Sequence, residues 1–297
     1  MIKITFLGTS DAVPTAERNH TSILLEYKDE NLLIDCGEGT QRQIRKAKLN
    51  PCKINRILIT HWHGDHVLGL SGLLQTLSFS DYNKPLFIYG PAGTKEFVKN
   101  MLKTFVFQGR CPIEVEEVKG KFFETDDFYI EAESMSHGIP CNAYNFVKKE
   151  RIRIDKVKLK KTNLEGPILK KLKEGKDVTY NGKKYLAKNL IFKEKGRKIS
   201  FVFDTSFNTK IIPFVKDSDM LICESTFDAD MEQKAIAYHH LTAKQTAEIA
   251  KKSKSKKLVL THISQRYNNN LKKILDSAKK GFKNSVLAKD LDVLEVK

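Results

Sequence analysis

The chain has 297 residues, 40% hydrophobic and 30% charged, with 52 Lys+Arg against 36 Asp+Glu and a formal net charge of +16. That length accommodates a sizeable buried core, the apolar content excludes a disordered chain, and the 16 glycines are too few for a fibrous one. No apolar run approaches the roughly eighteen residues of a membrane span.

In chain order, the N-terminal stretch MIKITFLGTSD alternates like a strand rather than reading as a signal peptide. Ile2–Leu7, Ser22–Glu26 and Leu32–Asp35 read as strands, and Thr40–Lys46 as a helix after the turn Cys36-Gly37-Glu38-Gly39. Arg56–Thr60 is a compact apolar run of the kind found in a strand buried on both faces. Gly69–Phe79 follows as a helix, Pro85–Tyr89 as a strand and Thr94–Lys103 as a helix, with further strands near Ile113–Val118 and Phe128–Glu133. After residue 198 the style repeats: strands at Ile199–Asp204 and Met220–Glu224, helices at Ala229–Tyr238 and Thr242–Lys251, a strand at Lys257–Thr261 and a helix near Asn270–Lys279. Strands and helices mixed through both halves predict an α/β architecture of sheets between helical layers. The cysteines Cys36, Cys52, Cys111, Cys141 and Cys223 are scattered and odd in number, so the expectation is a reducing, cytoplasmic setting without a disulfide framework.

Residues 148–198 differ in character. They hold 19 Lys+Arg and 6 Asp+Glu, a net +13, while the other 246 residues hold 33 and 30, a net of only +3. Lys alternates with apolar residues, Gly166-Pro167 breaks the stretch, and Asn181-Gly182 marks a turn. This predicts an inserted arm with little core of its own. Nearly all the net charge concentrated in one insertion points to a polyanion partner.

The sharpest local signal is Thr60-His61-Trp62-His63-Gly64-Asp65-His66, directly after the strand RILIT, in a chain with only eight histidines. A strand ending in a tight loop presents His61 and His63 together, with Asp65 and His66 at the start of a helix. Imidazole nitrogen and carboxylate oxygen are the ligands that zinc accepts in the absence of thiolate. Further donors are expected at other strand ends: His137 in SMSHG, Asp204 closing FVFD and His262 closing LVLTH.

HxHxDH at His61, His63, Asp65 and His66 resembles the signature of the metallo-β-lactamase superfamily. FLGTSDAVPTAERN, LIDCGEGTQRQI, ITHWHGDHVLGLSGLL, YGPAG, ESTF, YHHLTA and LTHISQRY resemble the ribonuclease Z family within it, over nearly the whole chain. The resemblance implies a single αββα metallo-β-lactamase sandwich over residues 1–297, with the 148–198 segment as an inserted flexible exosite arm. It implies a cytoplasmic homodimer, two zinc ions per subunit (manganese or iron being accepted by the same donors), and precursor tRNA as substrate, with no membrane involved. His61, His63 and His137 would hold one ion, Asp65, His66 and His262 the other, and Asp204 would bridge them. Asp65 would act as general base, and Asp35 would orient a ligand histidine from behind.

By the same resemblance, His240 would protonate the leaving ribose oxygen with support from Glu224, and His239 is the adjacent competitor for that role. Two positions depart from the family pattern: Leu241 stands where a serine is usual, and Phe203 where a glycine precedes the bridging aspartate. The arm would hold tRNA through Gly166, Pro167, Lys170, Lys171, Lys173 and Lys176. The implied activity is removal of the 3′ trailer from precursor tRNA, leaving a tRNA 3′-hydroxyl and a trailer 5′-phosphate. Two alternatives remain: another hydrolase of the superfamily, such as a phosphodiesterase, and a non-catalytic RNA-binding relative. The basic arm weighs against the first, and the presence of all seven ligand positions against the second.

Overall fold

The computed structural model describes residues 1–105 and 111–297. They form two seven-stranded sheets flanked by helices. The first sheet runs, in spatial order, Val293–Val296, Ile2–Gly8, Ser22–Tyr27, Glu30–Ile34, Arg56–Leu58, Leu86–Gly90 and Ile113–Glu117. Its first four strands are antiparallel and the remaining junctions parallel. The second runs Ser285–Leu287, Leu258–Thr261, Met220–Glu224, Arg197–Val202, Pro140–Lys148, Phe128–Ser136 and Gly120–Glu124, with parallel pairing among the first four.

The strand period of two explains the layers. On the first sheet Leu7, Leu24, Leu33 and Ile57 join a cluster with Ile44, Leu73, Leu77 and Val98 from the helices Thr40–Lys46, Leu70–Phe79 and Thr94–Thr104. Their strand neighbours Ile4, Phe6, Ile23, Leu25 and Leu32 point the other way and are equally buried. On the second sheet Val202, Leu221, Cys223, Leu258 and Leu260 pack with Ala247, Ala250, Ile274 and Ala278 of the helices Ala243–Lys252 and Leu271–Gly281. Strands covered on both faces carry near-continuous apolar runs, which is why RILIT, FVFD and MLICE lack alternation. Between the sheets, the fully buried Tyr144 donates its hydroxyl to the Ile59 carbonyl at 2.7 Å, and the Asn142 amide donates to the Thr60 carbonyl at 2.8 Å.

The expected helix over Ala229–Tyr238 is a 3-10 turn at Ala229–Met231 followed by a helix at Glu232–Ala237. Thr242 is not helical; it is the N-cap of Ala243–Lys252 in a capping box with Gln245. Strands Gly120–Glu124, Pro140–Lys148, Ser285–Leu287 and Val293–Val296 depart from the sequence expectation; Gly120–Glu124 and Val293–Val296 are at most partly buried, Ser285–Leu287 is only three residues long, and Pro140–Lys148 begins at a proline.

The chain divides into two compact units: Met1–Phe123, Ile130–Phe146 and Lys198–Lys297 in one, Glu124–Tyr129 with Val147–Arg197 in the other. The second unit pairs strands Arg151–Ile154 and Ile191–Glu194 and contains a hairpin of Val178–Tyr180 with Lys183–Tyr185. The expectation that this segment buries little core is corrected. Leu164, Leu172, Val178, Ala187 and Leu190 form a buried cluster of their own, because every lysine of the helix Ile168–Lys173 points outward and Leu172 inward. Among the described residues no helix is long and apolar enough to cross a membrane.

Replacing Tyr144 by Phe removes the inter-sheet hydrogen bond and leaves a buried carbonyl unpaired beside the Thr60-His61 loop. It is expected to cost about 1–3 kcal/mol, measured as a lowered midpoint in urea denaturation at unchanged slope.

Candidate metal and proton-transfer site

All seven expected ligands converge: His61, His137, Asp204 and His262 lie just beyond the carboxyl ends of strands, and His63, Asp65 and His66 follow His61 in the loop and short helix after its strand. His61 is the third residue after Arg56–Leu58, His137 follows Phe128–Ser136, Asp204 is the second residue after Arg197–Val202 and His262 follows Leu258–Thr261; the orienting carboxylate Asp35 follows Glu30–Ile34 in the same way. In the extended loop after RILIT, His61 and His63 face the site while Trp62 faces away. Trp62 stacks on Phe97 with centroids 5.1 Å apart and donates its indole N–H to Thr94 Oγ1 at 3.0 Å. His63 is the N-cap residue of the short helix Gly64–Val67, which carries Asp65 and His66 in. Gly37 is required here by close approach: a Cβ at that position would lie 2.3 Å from the Asp65 carbonyl oxygen.

Two donor groups result. His61 Nε2 and His137 Nε2 each lie 3.1 Å from His63 Nδ1 and 3.5 Å from Asp204 Oδ2. Asp65 Oδ2 lies 3.3 Å from His66 Nε2 and 3.4 Å from His262 Nε2, and Asp204 reaches the same two nitrogens at 3.5 and 3.2 Å. Each set is compact enough to hold one metal ion, with Asp204 common to both. Four donors at about 2.0–2.1 Å around a tetrahedral zinc stand about 3.3 Å apart, which matches these separations.

Hydrogen bonding on the far side of each ring makes the fit specific. His61 Nδ1 meets Thr60 Oγ1 at 3.1 Å, His66 Nδ1 meets Asp35 Oδ2 at 2.6 Å, His137 Nδ1 meets the His239 carbonyl at 3.0 Å and His262 Nδ1 meets Thr226 Oγ1 at 2.9 Å. Each Nδ1–H donates outward, so each Nε2 turns a lone pair inward. His66 Nε2 and His262 Nε2 thus face one another at 3.3 Å, lone pair to lone pair, and the buried Asp204 Oδ1 has no hydrogen-bond partner. A cation relieves both conditions.

The structure distinguishes the two adjacent histidines. His240 Nδ1 lies 3.1 and 3.3 Å from the oxygens of the fully buried Glu224. Burial disfavours its charged form, but Glu224 and Asp204 together outweigh this and raise its pKa to about 9. Cations at Asp204 would cancel much of that carboxylate's share and leave Glu224 as the main partner. His239 has a different part. It adopts the left-handed conformation, φ 58°, in a Schellman cap ending the helix Glu232–Ala237: His240 N–H donates to the Ala235 carbonyl at 2.8 Å and His239 N–H to the Ile236 carbonyl at 3.2 Å. Its own carbonyl then orients His137, and its ring pairs with Ser206 Oγ at 3.2 Å.

Thr60, Thr226 and the His239 carbonyl are orienting groups that residue-type reasoning missed. The threonines adjoin recognisable motifs, but a backbone carbonyl carries no sequence signal. The two departures are accommodated: Leu241 is fully buried in the core under the second sheet, and Phe203 is fully buried with its ring 6.4 Å from that of His66. A cavity of about 350 Å³ opens over the donors, bounded also by Asp11, Val13, Lys234, Tyr238 and Arg266. Of the six expected anion-binding positions, all of them exposed, Lys170, Lys171 and Lys173 make no side-chain hydrogen bond or ion pair among the described residues, whereas Lys176 pairs with Glu174 at 2.9 Å. These positions belong to the second unit.

A family described as anti-Pycsar protein Apyc1 matches residues 2–136, less than half of the chain. Ribonuclease Z of Nanoarchaeum equitans is 39% identical over 295 residues, covering 99% of this chain and 93% of that protein. Among solved structures, human tRNase Z, short form, aligns with a TM-score of 0.74 at 27% identity, covering 99% of each chain. The metallo-β-lactamase fold protein YhfI from Bacillus subtilis aligns with a TM-score of 0.72 at 19% identity, over 99% of this chain and 98% of that one, a likeness of fold.

In the metal-free protein, the His240 imidazole is expected to titrate near 9 by NMR. Because that value lies above the ordinary 6.5 of an imidazole, the pair's contribution to stability is complete below 6.5 and is lost as pH rises through about 9. Glu224→Gln should move the His240 titration to lower pH; an unmoved titration would show that Glu224 is not its principal partner.

Proposed function

The chain belongs to the ribonuclease Z family and is a metal-dependent endoribonuclease that processes tRNA 3′ ends; on that premise we propose that it works with two zinc ions held by His61, His63 and His137 and by Asp65, His66 and His262, with Asp204 between them. Manganese or iron suit the same donors. The observation that carries this reading is the inward convergence of four histidine lone pairs, each fixed by a hydrogen bond on the other side of its ring. Two adjacent divalent cations supply a water of lowered pKa and stabilise charge on the attacking and leaving oxygens.

The remaining steps fall to side chains. Asp65, partly exposed toward the cavity, takes the proton of the attacking water. His240, kept protonated by Glu224, delivers a proton to the departing ribose 3′ oxygen, so the tRNA keeps a 3′-hydroxyl and the trailer a 5′-phosphate. Asp35 acts through His66.

The basic second unit would act as the tRNA-binding arm, with Gly166 and Pro167 opening the helix that bears Lys170, Lys171 and Lys173, and Lys176 just beyond it. Exposed amines on a folded scaffold suit recognition of backbone charge and helix shape rather than sequence. A homodimer is supported by exposed Leu68, Phe79, Phe97 and Phe105 along the helices of the first sheet's outer layer. A cytoplasmic setting is supported by five free cysteines.

The full activity is tested by cleavage of end-labelled precursor tRNA, mapped at nucleotide resolution, with metal counted by elemental analysis. Asp65→Ala should lower the rate by roughly 10²–10⁴-fold; processing that persists would sink the metal and base assignment. The arm is tested separately. Ile154 pairs with Ile191 in register, so residues 155–190 can be replaced by Asn-Gly, closing the two strands as a hairpin. That variant should lose precursor-tRNA cleavage and keep hydrolysis of bis(p-nitrophenyl) phosphate; equal loss of both would assign the unit to folding or to the site itself.

A further inference from the structure

The cavity over the donor groups has a lip that the chemistry above does not use. Tyr238 and Lys234 border it together with His240. Tyr238 is 58% exposed, a high value for an aromatic side chain beside a catalytic cavity, and its hydroxyl makes no hydrogen bond among the described residues. Lys234 Nζ lies 5.9 Å from the centre of the Tyr238 ring, and no carboxylate pairs with it among the described residues.

The lip is rigidly tied to the proton donor. Tyr238 is the C-cap of Glu232–Ala237, with its N–H bonded to the Lys234 carbonyl at 3.0 Å. The Schellman bonds of His239 and His240 close the chain immediately after it, and His137 clamps the His239 carbonyl. The backbone that carries Tyr238 is therefore fixed relative to that of His240 by four hydrogen bonds, while the exposed ring keeps its side-chain rotation. An exposed ring on a fixed stretch of backbone with a cation beside it is the equipment of a site for single-stranded nucleic acid: the ring offers a face to a base of any identity, and the ammonium meets a phosphate.

We propose that Tyr238 and Lys234 form a nucleotide subsite in which the Tyr238 ring stacks on the unpaired base immediately 5′ of the scissile phosphate and Lys234 contacts the adjoining backbone phosphate. The retained side of the cut is assigned because His240, which in the reading above serves the 3′ oxygen of that nucleotide, borders the same cavity as Tyr238 and Lys234, and the trailer-abasic RNA tests that assignment. This rests on the reading of the site as a precursor-tRNA nuclease, and it adds that the enzyme grips the last retained nucleotide by stacking rather than by hydrogen bonds to the base edge. Cleavage should then tolerate any base at that position but not its absence.

The test measures kcat/KM for wild type, Tyr238→Ala, Tyr238→Phe and Lys234→Gln on a precursor tRNA, on the same RNA abasic at the nucleotide 5′ of the cut, and on one abasic at the first trailer nucleotide. Metal content is checked in each variant. The expected result is a loss of roughly 10–100-fold for Tyr238→Ala, near-wild-type behaviour for Tyr238→Phe, and no difference between Tyr238→Ala and wild type on the RNA abasic 5′ of the cut. Lys234→Gln should flatten the dependence of log affinity on log salt by about 0.7. Wild-type activity in Tyr238→Ala, or an undiminished penalty on the RNA abasic 5′ of the cut, overturns the subsite; a penalty that vanishes only on the trailer-abasic RNA overturns its assignment to the retained nucleotide. If wild type itself does not cleave precursor tRNA, the nuclease reading fails and the subsite with it.

Discussion

Two carboxylates buried beneath the site, Asp35 and Glu224, hold the rest of it in place, and they do so in parallel ways. Each is fully buried. Asp35 accepts the Thr60 amide and hydroxyl, both at 2.7 Å, together with His66 Nδ1–H; Glu224 accepts the Thr205 amide and the Thr226 hydroxyl, both at 2.7 Å, together with His240 Nδ1–H. In each half the threonine passes the constraint to a second histidine, His61 on one side and His262 on the other. A buried carboxylate without partners would be strongly penalised. With three donors around it, it becomes a fixed anchor, and four imidazoles inherit their tautomer and direction from two such anchors. What differs between the halves is the use made of the directly bonded ring: His66 turns its free nitrogen to the metal donors, while His240 turns toward the cavity and remains available as an acid.

This scaffold accepts backbone strain where the chain must turn. Asp35, His239 and His262 all have φ between 54° and 58°, in the left-handed region that non-glycine residues enter at a cost of about 1–2 kcal/mol each. All three are residues whose side chain or carbonyl is needed, so glycine would relieve the strain and remove the function at Asp35 and His262. At His239 the essential group is the carbonyl, which any residue supplies. Its ring contributes the bond to Ser206, a weaker reason for the strain. Seven other described non-glycine residues, Asp81, Asn181 and Asp217 among them, share this conformation at turns away from the site, so the cost is general to the fold's tight turns and is met at three positions of the site as well.

The legibility of the chain follows the same division. His61, Asp204 and His262 are readable because each closes an apolar run, a strand end that a sequence can mark, and His63, Asp65 and His66 because they crowd into the six residues beginning at His61. Asp35 and Glu224 were readable through LIDCGEG and ESTF. The choice between His239 and His240 was open on residue type alone, since it depends on a Schellman cap in which the left-handed residue is not glycine, against the usual signal. The weaker strands, such as Ser285–Leu287 and Val293–Val296, are too short and half-exposed to show a period. In the basic segment the lysines were conspicuous and the core was not: Leu164, Leu172, Val178 and Leu190 are separated by six to twelve residues and meet only through tertiary contact.

That hidden core changes the meaning of the net +13 carried by residues 148–198. A solvated run of lysines would repel itself, extend, and lose conformational entropy on meeting a polyanion. Lysines mounted on a unit with its own buried cluster and its own ion pairs, Lys148 and Arg153 on Glu194 among them, are already ordered before binding. Were that unit to hold a polyanion as proposed, the ordering cost would already be met in folding. The nearly neutral remainder of the chain carries the donor groups, so the concentrated positive charge and the donor set belong to different units.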